Sequence, residues 1–188
     1  MAELRWLDAP DERSYAGLHH LAAEVAALGG AVGWLHVPSR AETDAFWDGV
    51  LAQGARLLLA ADGDVLVGTG HWVRLPHVVM RQNAEVHKVM VLPAARGTGV
   101  ARAITAALVA DAEAAGVEVL AIDCRGNNHA ALGLYASLGF VVSGRRPDWI
   151  AVGDDRFDQV LLHLDLRPGR PGPGPVRHGA RREGPGST

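Results

Sequence analysis

The alternation of apolar and polar residues predicts helices near the start of the chain. Over residues 11–28 the apolar residues recur at helical spacing and stop at Gly29-Gly30, a pair suited to ending a helix. Ser39-Arg40-Ala41-Glu42 has the sequence of a capping box, in which the serine and the glutamate each bond the other's backbone N–H. A second helix is therefore predicted over residues 39–53.

Shorter apolar runs further along the chain predict strands. Residues 56–61 and 64–75 form a predicted hairpin across Asp62-Gly63. The other predicted strands are residues 3–8, 84–92, 117–124, 140–144 and 158–165, and the other predicted helices are residues 97–115 and 128–138. This order predicts a mixed sheet flanked by helices, which is an α/β (α+β) architecture.

The segment 89–102 is the most informative part of the chain, because an apolar strand ends at Pro93 and turns through Arg96-Gly97-Thr98-Gly99 into a helix. Such a turn brings unpaired backbone N–H groups to an anion. A nucleotide P-loop needs Lys-Ser/Thr after the last glycine, where this chain has Val100-Ala101, and a dinucleotide fingerprint needs a third glycine. A different anionic cofactor is predicted, although a plain glycine turn stays open.

Two motifs lie about thirty residues apart, Arg96-x-x-Gly99-x-Ala101 and Asn128-x-x-Ala131-x-x-x-Tyr135-x-x-x-Gly139-Phe140. Together they resemble the GCN5-related N-acetyltransferase (GNAT) superfamily. The resemblance covers residues 3–166 and implies a central mixed sheet of about seven strands, about four helices and acetyl-CoA (coenzyme A) as acyl donor. Residues 29–34, 48–49 and 84–93 look like the tabtoxin-resistance type within that superfamily.

The resemblance also implies which residues bind the cofactor. The backbone N–H of Val89 is expected to hold the acetyl oxygen, and Val91 is expected to pair with the pantetheine amides as another strand would. The full set of implied cofactor residues is Val89, Met90, Val91, Arg96, Gly97, Thr98, Gly99, Val100, Ala101, Arg102, Asn128 and Tyr135.

Acetyl transfer to an amine requires a base, and three residues are candidates. In a regular strand, Glu85, His87, Val89 and Val91 project to one face, whereas Val86, Lys88 and Met90 project to the other. Glu85 is the first choice because the superfamily often places a base eleven residues before the position of Arg96. His87 is the alternative on the same face, and Asp123 is a third candidate that could bind or deprotonate the amine.

Tyr135 is the candidate acid that protonates the departing thiolate, and it is a candidate catalytic residue together with Glu85, Asp123 and His87. Each could instead be structural: a core tyrosine, a core histidine or a paired carboxylate. Cys124 lacks the sequence context of a nucleophile, so direct attack in a ternary complex is predicted. The predicted acceptor-binding residues are Trp34, Trp72, Asp123 and Trp149.

Composition adds limits to this interpretation. The chain has 188 residues, 48% of them hydrophobic, which suffices for one core. Residues 167–188 are rich in Pro and Gly and are predicted to be a disordered tail beyond a domain of residues 1–166. That tail has five arginines and one glutamate and therefore a net charge of +4. Because the whole chain has a net charge of −3, residues 1–166 have a net charge of −7. An acidic domain can attract a cationic amine and argues against a nucleic-acid partner.

The sequence therefore predicts a cytoplasmic N-acetyltransferase that needs no metal and acts on the primary amine of a small metabolite or antibiotic, with a role in antibiotic resistance. The absence of an apolar run long enough for a membrane span and of a signal peptide favours this location. A homodimer stays open as the assembly. The alternatives are a catalytically silent acyl-CoA-binding module and a transferase that takes its acyl group from aminoacyl-tRNA.

Overall fold

The computed structural model describes residues 2–9, 11–29 and 33–169. Within these ranges, seven strands and four α-helices follow one another. The strands are β1 (Glu3–Trp6), β2 (Arg56–Asp62), β3 (Val65–Arg74), β4 (Asn83–Val91), β5 (Val119–Arg125), β6 (Val141–Val152) and β7 (Asp155–Asp165). The helices are α1 (Glu12–Ala26), α2 (Arg40–Ala52), α3 (Val100–Ala114) and α4 (His129–Ser137), and 3-10 turns lie at Val78–Met80 and Pro93–Ala95.

The strands form one mixed sheet in the order β1-β2-β3-β4-β5-β7-β6. Every neighbouring pair is antiparallel except β4 and β5, which run parallel. A parallel pair needs a crossover connection, and α3 supplies it. The turn into α3 therefore lies after the end of β4, next to the parallel pair of β4 and β5.

Helices cover both faces of the sheet. On one face, the Trp47 ring of α2 lies 5.9 Å from the His71 ring of β3. On the other face, a Cβ added to Gly70 of β3 would lie 3.0 Å from Ile104 of α3. Because both faces are covered, four successive residues of β2, Leu57 to Ala60, are buried instead of every second one.

Local sequence signals account for the helix ends. The Asp11 side chain accepts a hydrogen bond from the Ser14 backbone N–H and starts α1. Ser39 and Glu42 form the predicted capping box of α2, in which both reciprocal hydrogen bonds are present. Gly29 has a φ of 97°, a left-handed conformation that ends the segment after α1.

The predicted fold class is confirmed, with seven strands and four helices among the described residues. The last hairpin is much longer than predicted, because β6 continues to Val152 and β7 begins at Asp155. Gly30, part of the predicted end of the first helix, lies outside the described residues, and so does the predicted tail from residue 170 onward. The domain boundary at residue 166 stays a prediction. No helix within the described ranges is long and apolar enough to cross a membrane.

Candidate active site

The central strands β4 and β5 pair over only part of their length. Their parallel register runs from Asn83 opposite Val119 to Val86 opposite Ile122. Beyond this point β4 continues to Val91 and β5 to Arg125 without pairing to each other. The two strands therefore separate and leave a cleft in the middle of the sheet, at the end that leads into α3.

A β-bulge lies in β4 where the cleft begins. Lys88 has a φ of 52°, in the left-handed region, and the register between β3 and β4 shifts here. Lys88 and Val89 together oppose the single residue Gly70, since His87 pairs with His71 and Met90 pairs with Thr69. Because of this extra residue, the side chains of β4 after Lys88 point to the face opposite to the one that regular alternation would give them.

The prediction that Glu85, His87, Val89 and Val91 share one face is therefore wrong. Glu85 and His87 face the side of α2, whereas the side chain of Val89 lies beside Gly70 on the side of α3. Val91 pairs with Gly68, which also faces α3. Met90, predicted to face away from Glu85, shares its face and is 1% exposed.

The turn before α3 has the backbone conformation of an anion-binding site. Gly97 and Gly99 have φ values of 78° and 90°, and no atom lies within 4 Å of where a Cβ would stand on either. Thr98 closes the turn by donating its hydroxyl to the Ala95 carbonyl at 2.7 Å. The helix begins at Val100 and not at Gly97 as predicted, and Gly99 is its N-cap.

The first turn of α3 leaves three N–H groups for a ligand. Ala103 makes the first intrahelical hydrogen bond, to the Gly99 carbonyl at 3.0 Å, so the N–H groups of Val100, Ala101 and Arg102 have no carbonyl one turn earlier. Together with the open space at both glycines, this arrangement fits the pyrophosphate of coenzyme A. The Arg102 side chain donates to the Ser137 hydroxyl at 2.7 Å and ties α3 to α4.

Tyr135 lies on α4, and Asn128 lies directly before its first residue, close to the predicted start of this helix. Asn128 is the N-cap, and its side-chain oxygen accepts from the Ala131 N–H at 3.2 Å, so this oxygen has a structural role. Tyr135 is 6% exposed and packs 5.9 Å from the Phe140 ring. Burial raises the pKa of Tyr135 above its usual value, with smaller contributions from Cys124 and Asp123. The phenol is therefore protonated at neutral pH and has a proton to donate.

Cys124 is half-buried on β5. Burial raises the pKa of its thiol to about 11, and the nearby Asp123 adds to the shift. Near neutral pH the thiol is protonated, whereas nucleophilic attack requires the thiolate. This environment agrees with direct attack on acetyl-CoA without a cysteine intermediate.

The three candidate bases meet at one cavity of about 280 Å³. Glu85 and His87 are in contact, with 3.3 Å between the carboxylate Oε2 and the imidazole Nε2. Asp123 accepts a hydrogen bond from the Gln159 amide at 2.7 Å. The same cavity is lined by Ser143, Arg146, Leu161 and His163 from the last hairpin. A proton acceptor is thus available from either strand that borders the cleft.

A second cavity of about 210 Å³ lies between α2 and the sheet, and His87 borders both cavities. His71 lines it, is 4% exposed, and has no hydrogen-bond partner for its Nδ1. Burial lowers the pKa of His71 to about 3, helped by the nearby His87 and Lys88. His71 was not among the residues predicted from the sequence, because a single histidine inside an apolar strand carries no signal of a site.

The predicted acceptor tryptophans have different environments. Trp34 packs 5.2 Å from Phe46, and the Lys88 ammonium lies 4.4 Å from its ring centre, beside the second cavity. Trp149 is 63% exposed on β6. Trp72 does not belong to this group: it is 4% exposed and donates its indole N–H to Asp111 of α3 at 2.9 Å, on the face opposite Glu85. These contacts place Trp72 in the core, outside the residues that line the two cavities, and its predicted role in acceptor binding stays a prediction.

Comparison with known proteins agrees with this geometry. A family model described as the Acetyltransferase (GNAT) family matches residues 10–140, well over half of the chain. The chain belongs to the GNAT acetyltransferase family. A relative from Pseudomonas aeruginosa, an L-methionine sulfoximine/L-methionine sulfone acetyltransferase, is 32% identical over 168 residues, which covers 84% of this chain and 96% of the relative.

Other relatives and solved structures share the family fold. The ribosomal protein bS18-alanine N-acetyltransferase of Escherichia coli is 31% identical over 88 residues, covering 47% of this chain and 60% of the relative. A phosphinothricin acetyltransferase from Sinorhizobium meliloti, solved with acetyl-CoA, has a TM-score of 0.73 and 22% identity, with 88% of each chain covered. A ribosomal-protein-alanine N-acetyltransferase from Brucella melitensis has a TM-score of 0.77 and 20% identity, covering 87% of this chain and 99% of the other.

The protein is therefore an enzyme of the GNAT family, an N-acetyltransferase that uses acetyl-CoA as its acetyl donor. The predicted superfamily, enzyme class and cofactor are confirmed. A silent binding module and a donor other than acetyl-CoA are no longer needed to explain the chain. The individual roles of the site residues stay predictions.

Proposed function

We propose that this enzyme acetylates the primary amine of a small amino-acid-like molecule. The observation that carries the proposal is the alignment with the L-methionine sulfoximine/L-methionine sulfone acetyltransferase, because it extends over 96% of that relative. The alignment with the ribosomal-protein enzyme covers only 60% of that protein. Acetylation of a toxic amino acid analogue would give the enzyme a protective role, in keeping with the predicted resistance function and a cytoplasmic location.

The roles proposed for the site follow from the chemistry of the transfer. An amine attacks a thioester only as the free base, so the cleft must remove a proton. Glu85 is the proposed principal base, acting directly or through a water molecule, and its contact with His87 gives the proton a neighbouring acceptor. Asp123, on the opposite strand, is the proposed binding group for the incoming ammonium.

The donor side of the reaction uses backbone groups and one phenol. The Val89 N–H, in the bulge of β4, is the proposed donor to the acetyl oxygen as negative charge develops on it. The coenzyme A thiolate then leaves and takes a proton, for which Tyr135 is the proposed source. The half-buried Lys88 extends from the same bulge toward Trp34 and Phe46, where its contacts hold the bulge against α2.

Free-thiol release from acetyl-CoA over a panel of amines tests the proposal. The panel contains L-methionine sulfone, L-methionine sulfoximine, phosphinothricin, an aminoglycoside and a peptide with N-terminal alanine. We expect kcat/KM for at least one amino acid analogue to exceed the values for the peptide and the aminoglycoside by tenfold or more. Preference for the peptide by the same margin would overturn the small-molecule assignment in favour of protein N-terminal acetylation.

A further inference from the structure

Three polar side chains form a row across the last strands of the sheet. Gln159 of β7 pairs with Arg125 of β5 on one side and with Arg146 of β6 on the other. Residues paired in neighbouring strands point to the same face, so all three share the face of Asp123, two residues before Arg125. This is the face on which Glu85 and His87 line the 280 Å³ cavity.

Arg146 is fixed by uncharged partners. Its guanidinium donates to the Gln159 side-chain oxygen at 3.0 Å and lies 5.0 Å from the centre of the Trp149 ring. Gln159 in turn donates its amide N–H to Asp123 at 2.7 Å. The Gln159 amide therefore connects Arg146 to Asp123 and sets the distance between them. Because the amide is uncharged, it does not neutralise the charge of Arg146.

The neighbouring residue Arg145, unlike Arg146, has a carboxylate partner among the described residues. Arg145 pairs with Val160 on the other face and forms an ion pair with Asp158 at 3.4 Å. Within the described part of the chain, no carboxylate oxygen lies within 4.0 Å of the Arg146 guanidinium. Arg146 nevertheless lines the cavity with Glu85 and Asp123, so this cavity has acidic groups and an unpaired cation on its walls.

Such a charge distribution matches a zwitterion. A guanidinium binds a carboxylate through two parallel hydrogen bonds, and an aromatic ring stacked on it favours one orientation of its plane. An α-amino acid carries both its ammonium and its carboxylate on its α-carbon, so the two charged groups lie close together. With the carboxylate on Arg146, the ammonium of such a molecule would be directed toward Asp123 and Glu85.

We propose that Arg146 is the specificity-determining residue that binds the acceptor's carboxylate, and that Gln159 is its positioning residue. The acceptor class is then free α-amino acids and their analogues, and amines that lack the carboxylate are excluded. This inference rests on the proposed function and deepens it, because it names the acceptor group that the cavity recognises besides the amine. It assigns the long β6–β7 hairpin to acceptor selection.

A matched pair of acceptors tests the inference. Steady-state kinetics would compare L-methionine sulfone with its carboxamide, in the parent enzyme, in Arg146→Gln and in the control Arg145→Gln. For the sulfone, Arg146→Gln should raise KM roughly ten- to a hundredfold with a smaller change in kcat, the loss expected for charge-assisted hydrogen bonds. Arg145→Gln should leave both constants within about twofold of the parent. Arg146→Lys should recover part of the loss, because it restores the charge without the planar fork.

The outcomes separate this inference from the proposed function. If the parent acetylates the carboxamide as well as the sulfone, or if Arg146→Gln affects both equally, the carboxylate site is wrong while small-amine acetylation stands. If no small amine causes thiol release from acetyl-CoA, the proposed function fails. In that case, calorimetric titration of L-methionine sulfone into enzyme saturated with coenzyme A tests whether Arg146 binds the carboxylate. Binding that is lost in Arg146→Gln would support the site, and no binding to the parent would overturn it.

Discussion

The turn before α3 and the cavity beside β5, the proposed sites of the donor and of the acceptor, are built from different parts of the polypeptide. The turn offers backbone N–H groups of successive residues and depends on two glycines with positive φ. The cavity offers side chains from β4, β5, β6 and β7, which are up to 78 residues apart between Glu85 and His163. One site is local in sequence, and the other exists only once the sheet has formed.

This difference predicts which amino-acid substitutions each region tolerates. Side chains in the turn can vary as long as the backbone keeps its shape, so one family can keep the same donor. Side chains in the cavity can vary without disturbing the turn, so acceptors can change on the same scaffold. Variants of the turn should therefore affect the reaction with every acceptor, whereas variants of the cavity should affect acceptors selectively.

The largest effect is expected for Gly99→Glu. Gly99 is the N-cap of α3 at a φ of 90°, and a carboxylate there would occupy the space of the pyrophosphate and repel it. We expect acetyl-CoA binding to be abolished in isothermal titration calorimetry.

Gly116→Glu is the matched control for that variant. Gly116 follows the other end of α3 with a φ of 73°, and likewise nothing lies within 4 Å of an added Cβ. Both variants therefore introduce the same residue into a strained left-handed position, at a cost of about 1 kcal/mol. Equal acetyl-CoA binding by Gly99→Glu and the parent would show that the pyrophosphate lies elsewhere.

Glu85→Gln should produce the next largest effect. The substitution preserves size and removes proton acceptance, so kcat/KM should fall roughly a hundred- to ten-thousandfold, the range for a positioned base. The acidic limb of the pH profile of kcat/KM should disappear with it. His87→Gln and Asp123→Asn are the comparison variants, since both residues line the same cavity. If the limb survives in Glu85→Gln and disappears in one of these, that residue is the base.

Tyr135→Phe should lower kcat roughly ten- to a thousandfold and leave the Kd for acetyl-CoA nearly unchanged, because the hydroxyl acts as charge develops on the thiolate. The chain has only one other tyrosine, Tyr15, whose hydroxyl donates to Asp48 at 2.6 Å. Tyr15→Phe is the control, and its effect should appear in the melting temperature and not in kcat. A Tyr135→Phe enzyme with the parent kcat, when chemistry limits turnover, would remove Tyr135 from the acid role.

The comparison of the two regions also explains which features could be predicted from the sequence. The turn before α3 and the capping box of α2 depend on residues within four positions of one another, and both were predicted at the right place, although α3 begins at Val100 and not at Gly97. The faces of Val89 and Val91 were not, because the bulge at Lys88 depends on the register with β3. Nothing in the residues around Lys88 marks a left-handed conformation, which is uncommon for a lysine.

The last hairpin was underestimated for a related reason. Residues 145–149, Arg-Arg-Pro-Asp-Trp, have little of the apolar alternation of a strand, so β6 was predicted to end at residue 144. In the structure this segment stays in β6 through an irregular register between Arg146 and Ile150, with Asp148 at a φ of 52°. Only the pairing of Arg146 with Gln159 of β7 shows that its side chain lies on the same face as Glu85, beside the 280 Å³ cavity.

The smallest effect on acetylation is expected for Trp72→Phe. This variant tests whether the sheet separates Trp72, on the α3 side, from the cavity on the other face. Its indole N–H donates to Asp111, which also accepts two hydrogen bonds from Arg56 at 3.2 Å each. Trp72→Phe removes one bond to a charged group and part of a buried ring, so stability should fall by about 2 kcal/mol, or roughly 4–8 °C in Tm.

Kinetics then decide between a core role and an acceptor role for Trp72. Because its ring lies on the α3 side, KM for the acceptor should stay within about twofold of the parent at a temperature where the variant is folded. Trp149→Phe gives the opposite pattern: its ring is 63% exposed, so Tm should not change, while its contact with Arg146 links it to the acceptor. A Trp72→Phe enzyme with normal Tm and a raised acceptor KM would place this residue back in the acceptor site and contradict the separation of the two faces.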